Sequence, residues 1–430
     1  MLLLERDLDG PSNLLVSGGL FPGAGTRFQR DAGITDSPEL FAQDVTTKAD
    51  GKVDAPVLVA IAAQTAPTVH FLADTLGLPI KLLGELVAPG HAVARMHGTP
   101  KESGRELHQM LRAAARAHPR ITLMADTEVT ALIAQGSPAR VTGLHVREAR
   151  STRALHAPAV LLATGGFASN AELLAEYIPD MKRALHIGAG ANDGCAIVWA
   201  RSLGADVAFM PGYQGQGHVN PPAGRTRLGM ALPPKGAFMV NREGRRFISE
   251  DIGPSELAAY VLAQPGGVAL EVFDARIHEF ASRQGPYREA CEAGHVKSAD
   301  TPEALARLFG VPEAAFTATF AAFRQAASEG RDPEQGRKQF GPPLESPLYG
   351  AWVTGALAHT QGGLRVDACA RVLRTDASVI EGLYAAGGAA ASISGTGGAG
   401  YLPGNGLGQS FGLAMLAGQH LIGSLTGKRA

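Results

Sequence analysis

The chain has 430 residues, with Lys+Arg 39 against Asp+Glu 40, 45% apolar residues and a net charge of −1. That balance excludes the basic field of a nucleic-acid binder and a polybasic membrane patch, and it leaves ample material for two or three packed domains. Glycine and proline, 54 and 27, fall short of the low-complexity range, so the glycine excess belongs in turns and in loops that lie against a ligand.

Cys195, Cys291 and Cys369 are far apart, with no CxxC pair, and read as reduced thiols. No unbroken apolar run reaches the roughly 18 residues that span a bilayer. Met1-Leu-Leu-Leu-Glu-Arg lacks the basic start and the length of a signal peptide. These features predict a cytoplasmic protein.

In chain order, Leu2-Leu3-Leu4 before Glu5 reads as the end of a buried parallel strand. Ser37-Pro38-Glu39 supplies an N-cap with proline in the first turn and predicts a helix to Lys48. Val69, Leu72 and Leu76 recur at helical spacing until Gly77 stops them. A further helix runs from Ser103 to Ala117. Residues 121–125, 129–133 and 141–146 read as three short strands of a meander. Residues 160–164 form another buried strand, closed by Gly165-Gly166, with a helix near 170–177. From 213 to 358 the texture changes: this third of the chain holds 13 of the 27 prolines and a mainly helical stretch over 302–328. It is predicted to be a separate domain inserted into the first. After His359 short strands return, Gly382 to Gly387 is a strand ending in glycine, and Leu407 to Ile422 is an apolar helix.

Three glycine-dense loops carry the chemistry. Ser17-Gly18-Gly19 with Gly23 and Gly25-Thr26 is the first; alone it also reads as a flexible surface loop. Ala163-Thr164-Gly165-Gly166 is a strand running into bare backbone at the carboxyl edge of a sheet, where open α/β sheets bind ligands; alone it also reads as a tight turn. The third, Gly397-Gly398-Ala399-Gly400-Tyr401-Leu402-Pro403-Gly404-Asn405-Gly406, leads straight into the last helix. Free N–H groups at a helix start suit an anionic or carbonyl oxygen.

Taken in order, these loops with Glu5, Asn192-Asp193-Gly194, Asn241-Arg-Glu-Gly-Arg-Arg-Phe247, His359-Thr360-Gln-Gly-Gly363 and Gly382-Leu-Tyr-Ala-Ala-Gly387 resemble the FAD-dependent flavoprotein family of succinate dehydrogenase and fumarate reductase. Soluble members include 3-ketosteroid dehydrogenases and tricarballylate dehydrogenase. The resemblance covers essentially the whole chain. It implies an α/β fold: a Rossmann-like FAD-binding domain of the glutathione-reductase type, residues 1–212 and 359–430, with an inserted, mobile α+β capping domain, residues 213–358. It implies non-covalent FAD, since no flavin-linking histidine stands near Ser12-Asn13-Leu14. Glu5 is implied to hold the adenosine ribose, Val129 the adenine, and Ser17, Gly18, Gly19, Gly25 and Thr26 the flavin. Ala163, Thr164 and Gly165 would lie near the pyrophosphate, Asp193 against FAD, and Gly387 and Gly388 at the strand end beside it. Asn405, Gly406 and Leu407 would open the last helix against the flavin C2 carbonyl, where N–H groups stabilise negative charge on the reduced ring.

The departures from the family are informative. Its G-x-G-x-x-G fingerprint should precede Glu5 by about 20 residues. Nothing in this sequence supplies it, so the chain as written is expected to bind FAD poorly, and a truncated, inactive non-flavin product is the rival reading. The arginine acid of fumarate reductases falls on Pro254, its proton-path residues fall near Met230 and Pro233, and the dicarboxylate-clamping arginine falls on Tyr401, which cannot make the bidentate pair. His218, His359 and Tyr401 remain as candidate catalytic groups, with Tyr213 beside them and Tyr384 in the core. The implied reaction transfers hydride between flavin N5 and a carbon–carbon bond next to a carbonyl or carboxyl group of a small molecule, with an unidentified electron partner. A ketone, enone or steroid-like substrate is favoured. The alternative is a tricarballylate-type carboxylate, with Arg225 or Arg227 replacing the clamp.

Overall fold

The computed structural model describes residues 1–148, 151–221, 226–229 and 232–426. The chain divides into two compact units. The first comprises Met1–Leu173, Gly188–Tyr213 and His359–Ala430; the second comprises Leu174–Ile187 and Gln214–Ala358.

In the first unit, caps fix the helix starts. Ser37 Oγ accepts the Leu40 N–H at 3.2 Å and Pro38–Lys48 is helical; Ser103 caps Gly104–Ala117 in the same way. The helix Ala55–His70 runs on into a wider π-helical turn, Phe71–Thr75, before Gly77 turns left-handed at φ +64°. By length and mean hydropathy, Ala55–Thr75 could cross a membrane, although no unbroken apolar run occurs there. Its Val57, Leu58, Ile61, Ala62 and Val69 are buried. A side chain at Gly412 of the last helix would approach Ile61 Cγ2 to 3.1 Å, so the two helices pack closely.

Two strand expectations are corrected. Leu2–Leu4 does pair in parallel, with Thr122–Met124, but Leu2 and Leu3 are 52% and 41% exposed rather than buried. The pair forms a sheet of only two strands among the described residues. Residues 122–124 therefore leave the meander, which is built from Thr127–Gln135, Arg140–Glu148 and Ser151–His156. Ser151–His156 is exposed almost throughout and so carries no alternating apolar signal. Val160–Leu162 pairs in parallel with Val379–Ala385, which brings the two glycine turns that follow these strands side by side.

The second unit is a sheet under helices. Val268–Asp274 lies antiparallel between Phe238–Val240 and Leu348–Thr360. Leu185–His186 adds in parallel to the latter, and Lys297–Ala299 adds antiparallel. Thr301 caps Pro302–Phe309, and Glu313–Glu329 follows, with Phe320 and Phe323 packed on Phe238 at 6.3 and 4.5 Å. Beneath this face is a buried charge network. Arg246 donates to both oxygens of Glu250, at 3.1 and 2.7 Å, and to Asp332 Oδ2 at 2.8 Å. Arg337 Nη1 donates to Glu250 Oε2 at 3.1 Å, and the Met239 N–H to Oε1 at 3.0 Å. The basic motif at 241–247 thus anchors the core of this unit through Arg246.

Candidate active site

In the first unit, glycine turns and one polar strand end converge. Gly165 is left-handed at φ +78°, and a side chain there would lie 2.1 Å from Asn192 Oδ1. Gly388 packs so closely that a side chain would lie 2.8 Å from Gly166 N. The Phe167 N–H donates to Thr360 Oγ1 at 3.0 Å. Gln409 ties the far side together: Oε1 accepts the Ile393 N–H at 3.1 Å, and Nε2 donates to the Gly387 carbonyl at 3.1 Å. Sequence reasoning missed Gln409; its only signal was a polar residue one turn into an apolar helix.

The last helix begins at Asn405, two residues earlier than the apolar pattern suggested, so Asn405 and Gly406 form its first turn. Asn405 is fully buried and donates to Ser394 Oγ at 3.2 Å, while its Oδ1 has no partner. Leu407 packs with the cluster of Phe21 and Val69. A side chain on Gly406 would stand 3.4 Å from His359 Nε2 and 3.9 Å from the Tyr401 hydroxyl, so both groups border the bare backbone at the helix start.

His359 and Tyr401 meet edge to face, with ring centroids 5.9 Å apart. His359 Nδ1 lies 3.2 Å from the Thr360 carbonyl and 3.1 Å from Gln361 Nε2. Burial lowers the His359 pKa, and the carbonyl contact only partly offsets this, so the ring is neutral at pH 7. Burial pushes the Tyr401 phenol up to about 12, against the nearby N–H groups of Gly406 and Gly404. It therefore stays protonated and is a hydrogen-bond donor. Among the described residues, the groups that act on the two rings are carbonyls, an amide and glycine N–H groups, with no cation. Gln361 belongs to the quoted 359–363 motif, but its role depends on folding beside His359.

The nucleotide-side residues are placed as follows. Gly18 is exposed, with the nearest atom 3.9 Å from where a side chain would begin. Ser17 Oγ accepts the Gly19 N–H at 3.0 Å and shapes that loop. Gly25 and Thr26 lie at the next helix start, with both N–H groups donated to Gln29 Oε1. The Thr26 hydroxyl is buried against His97 Nε2 at 3.1 Å, so its side chain is spent on local structure. Glu5 is exposed and accepts the Asp7 N–H at 3.0 Å. Val129 pairs with Val146 at an irregularity in the meander, next to an open surface cavity of about 370 Å³ lined by Arg6, Asp7, Asp126, Glu128 and Arg147. Ala163 is exposed, and the Thr164 hydroxyl lies against the Cys195 thiol. Asp193 accepts from Arg6 and from the Cys195 N–H, each at 3.0 Å. Burial opposes its charge, but these bonds outweigh burial and hold the carboxyl below its usual range. The buried, unpartnered Oδ1 of Asn405, with the bare backbone of Gly406 next to it and the left-handed turn at Gly165, fits a flavin nucleotide.

In the second unit His218 is 2% exposed. Pro254 opens the helix Pro254–Leu262 and Tyr384 bonds His420 Nδ1 at 2.9 Å within the core. Arg227 is exposed; Arg225 and Met230 lie outside the described residues.

A family profile described as an FAD binding domain matches residues 5–407. The chain is 28% identical over 397 residues to a protein named as a probable fumarate reductase of Shewanella frigidimarina, covering 90% of this chain and 65% of that one. It is 30% identical over 334 residues to a 3-oxosteroid 1-dehydrogenase of Mycolicibacterium smegmatis, covering 68% and 58%. The chain thus spans less than two-thirds of the length of both relatives. The structure of the open conformation of a flavocytochrome c3 fumarate reductase superposes with a TM-score of 0.82 at 27% identity, covering 97% of this chain and 72% of that one. With a Rossmann-like FAD unit, a capping unit and this ordered set of glycine turns, the chain belongs to the FAD-binding flavoprotein family of succinate dehydrogenase and fumarate reductase.

Proposed function

We propose that this chain is an FAD-dependent oxidoreductase acting on a carbon–carbon bond next to a carbonyl, with a ketone or enone preferred to a dicarboxylate. The observation that carries the preference is the His359–Tyr401 pair: a neutral imidazole and a protonated phenol at a helix start, with no cation among the described residues that shift them. Gly18, Gly165, Gly388 and the backbone of Asn405 and Gly406 would hold FAD, which supplies two-electron hydride chemistry when bound. Tyr401 donates its O–H to the substrate carbonyl oxygen. That bond strengthens as negative charge grows there, and it acidifies the α-carbon. His359 orients the carbonyl from beside Tyr401, and His218 is assigned the proton exchange at the α-carbon. The three cysteines are free, which suits a reducing, cytoplasmic setting, with a soluble electron carrier as partner.

The test is the bleaching or recovery of flavin absorbance when the FAD-loaded chain meets a 3-keto-4-ene steroid, a small cyclic enone, fumarate or tricarballylate, each with an artificial electron carrier. Turnover of either carbonyl compound with none on the carboxylates supports the reading. Turnover of a carboxylate alone refutes it in favour of the carboxylate dehydrogenase or reductase to which several relatives belong.

A further inference from the structure

The central strand of the second unit, Val268–Asp274, is buried at every position, and only Glu271 and Asp274 in it are polar. Asp274 caps the next helix, accepting the Ile277 N–H at 3.0 Å. Glu271 has no such local task. Its Oε2 lies 2.9 Å from His218 Nδ1, with the two side chains 0% and 3% exposed, and its Oε1 has no partner. Strand alternation puts Glu271 on the face of Phe273, whose ring lies 6.1 Å from that of Tyr287. Tyr287 faces His278, with its hydroxyl 2.8 Å from Nδ1. Its ionisation is opposed by burial first, then by Cys291 and Glu271. A carboxylate buried with one oxygen unmet destabilises a strand relative to an apolar side chain of similar volume. What Glu271 gains is His218.

We propose that Glu271 is the positioning residue of His218: its carboxylate accepts the Nδ1–H, so Nε2 is the nitrogen that His218 presents to substrate. An ionised carboxylate can only accept, which fixes both the proton on Nδ1 and the plane of the ring. The same arrangement orients acid–base histidines in unrelated hydrolases. Nothing in the sequence pattern marks the pair, because the two residues are 53 positions apart and Glu271 sits in an otherwise apolar run. The proposal rests on the reading of His218 as the proton-exchanging group.

The test uses the FAD-loaded full chain carrying ¹⁵N-labelled histidine, with the His218 signals identified by their loss in H218Q. The wild type is expected to show a protonated Nδ1. E271Q can offer N–H as well as C=O to the ring and is expected to lose that preference. Its kcat on the 3-keto-4-ene steroid should fall roughly 10–100-fold, with KM and flavin content little changed. An unprotonated Nδ1 in the wild type overturns the proposal, and this readout needs no turnover. An E271Q protein with unchanged kcat overturns it as well. H218Q separates the two levels: unchanged kcat in H218Q removes His218 from the reaction, whereas a large loss in H218Q beside an indifferent E271Q removes only Glu271.

Discussion

Replacing Glu250 with glutamine tests whether the second unit is held by its buried charges. Glu250 accepts three bonds from guanidinium groups and one from the Met239 N–H, and Arg246, Arg337 and Asp332 beside it are at most 1% exposed on their side chains. The amide keeps a similar shape but leaves two buried arginines with only Asp332 and, 3.8 Å from Arg337, the partly exposed Asp251. Removing one partner of such a network costs about 3–5 kcal/mol. With a urea slope of about 2–3 kcal/mol per molar, that is a fall of roughly 1–2.5 M in the midpoint. Trp352 lies in the second unit and Trp199 in the first, so fluorescence in a W199F background follows the second unit alone. A change below about 1 kcal/mol would show that desolvation already cancels the pairing in the wild type, and the argument for the network would fail.

Tyr401→Phe removes the donor aimed at the substrate carbonyl and should lower kcat about 10²–10³-fold without loss of bound flavin, as read from steady-state rates and the 450 nm band. Gly165→Ala forces a side chain into a left-handed turn and onto Asn192 Oδ1, so FAD should no longer survive gel filtration; full retention would contradict the close approach. His97 is fully buried, and burial drives its pKa from 6.5 down to about 4. Its folded value lies below its unfolded one, so its share of stability is complete above about pH 6.5 and drains away as the pH falls toward 4. Between pH 7 and 5 this is about 2 kcal/mol, and the urea midpoint of His97→Gln should vary less over that window than the wild type's.

Local signals were legible where the physics is local. Ser37 with Pro38, Ser103 and Gly77 each act within a turn, and the helices begin or end where they say. The glycines at 165 and 404 were legible as bare backbone, because both are left-handed and a side chain there would collide with Asn192 and Met96. What stayed hidden depends on distant partners. Thr122–Met124 reads as part of the neighbouring meander until Leu2–Leu4 pairs with it. Asp193 gives no hint that Arg6 holds it from 187 residues away. Gln361, Gln409 and Glu271 are ordinary polar residues in sequence, and acquire a task only when the chain sets them beside His359, a row of carbonyls and His218.

Asn405 Oδ1 and Glu271 Oε1 share one property: each is buried and unmet. A redesign for thermostability that scores such atoms as defects would replace them with valine or leucine and yield a tighter, more heat-resistant protein. Such a variant would keep its fold while losing the groups proposed to meet the flavin and to hold His218. Screens of this scaffold that rank by melting temperature alone will therefore enrich for inert proteins, and retention of flavin colour is the counter-selection that prevents it.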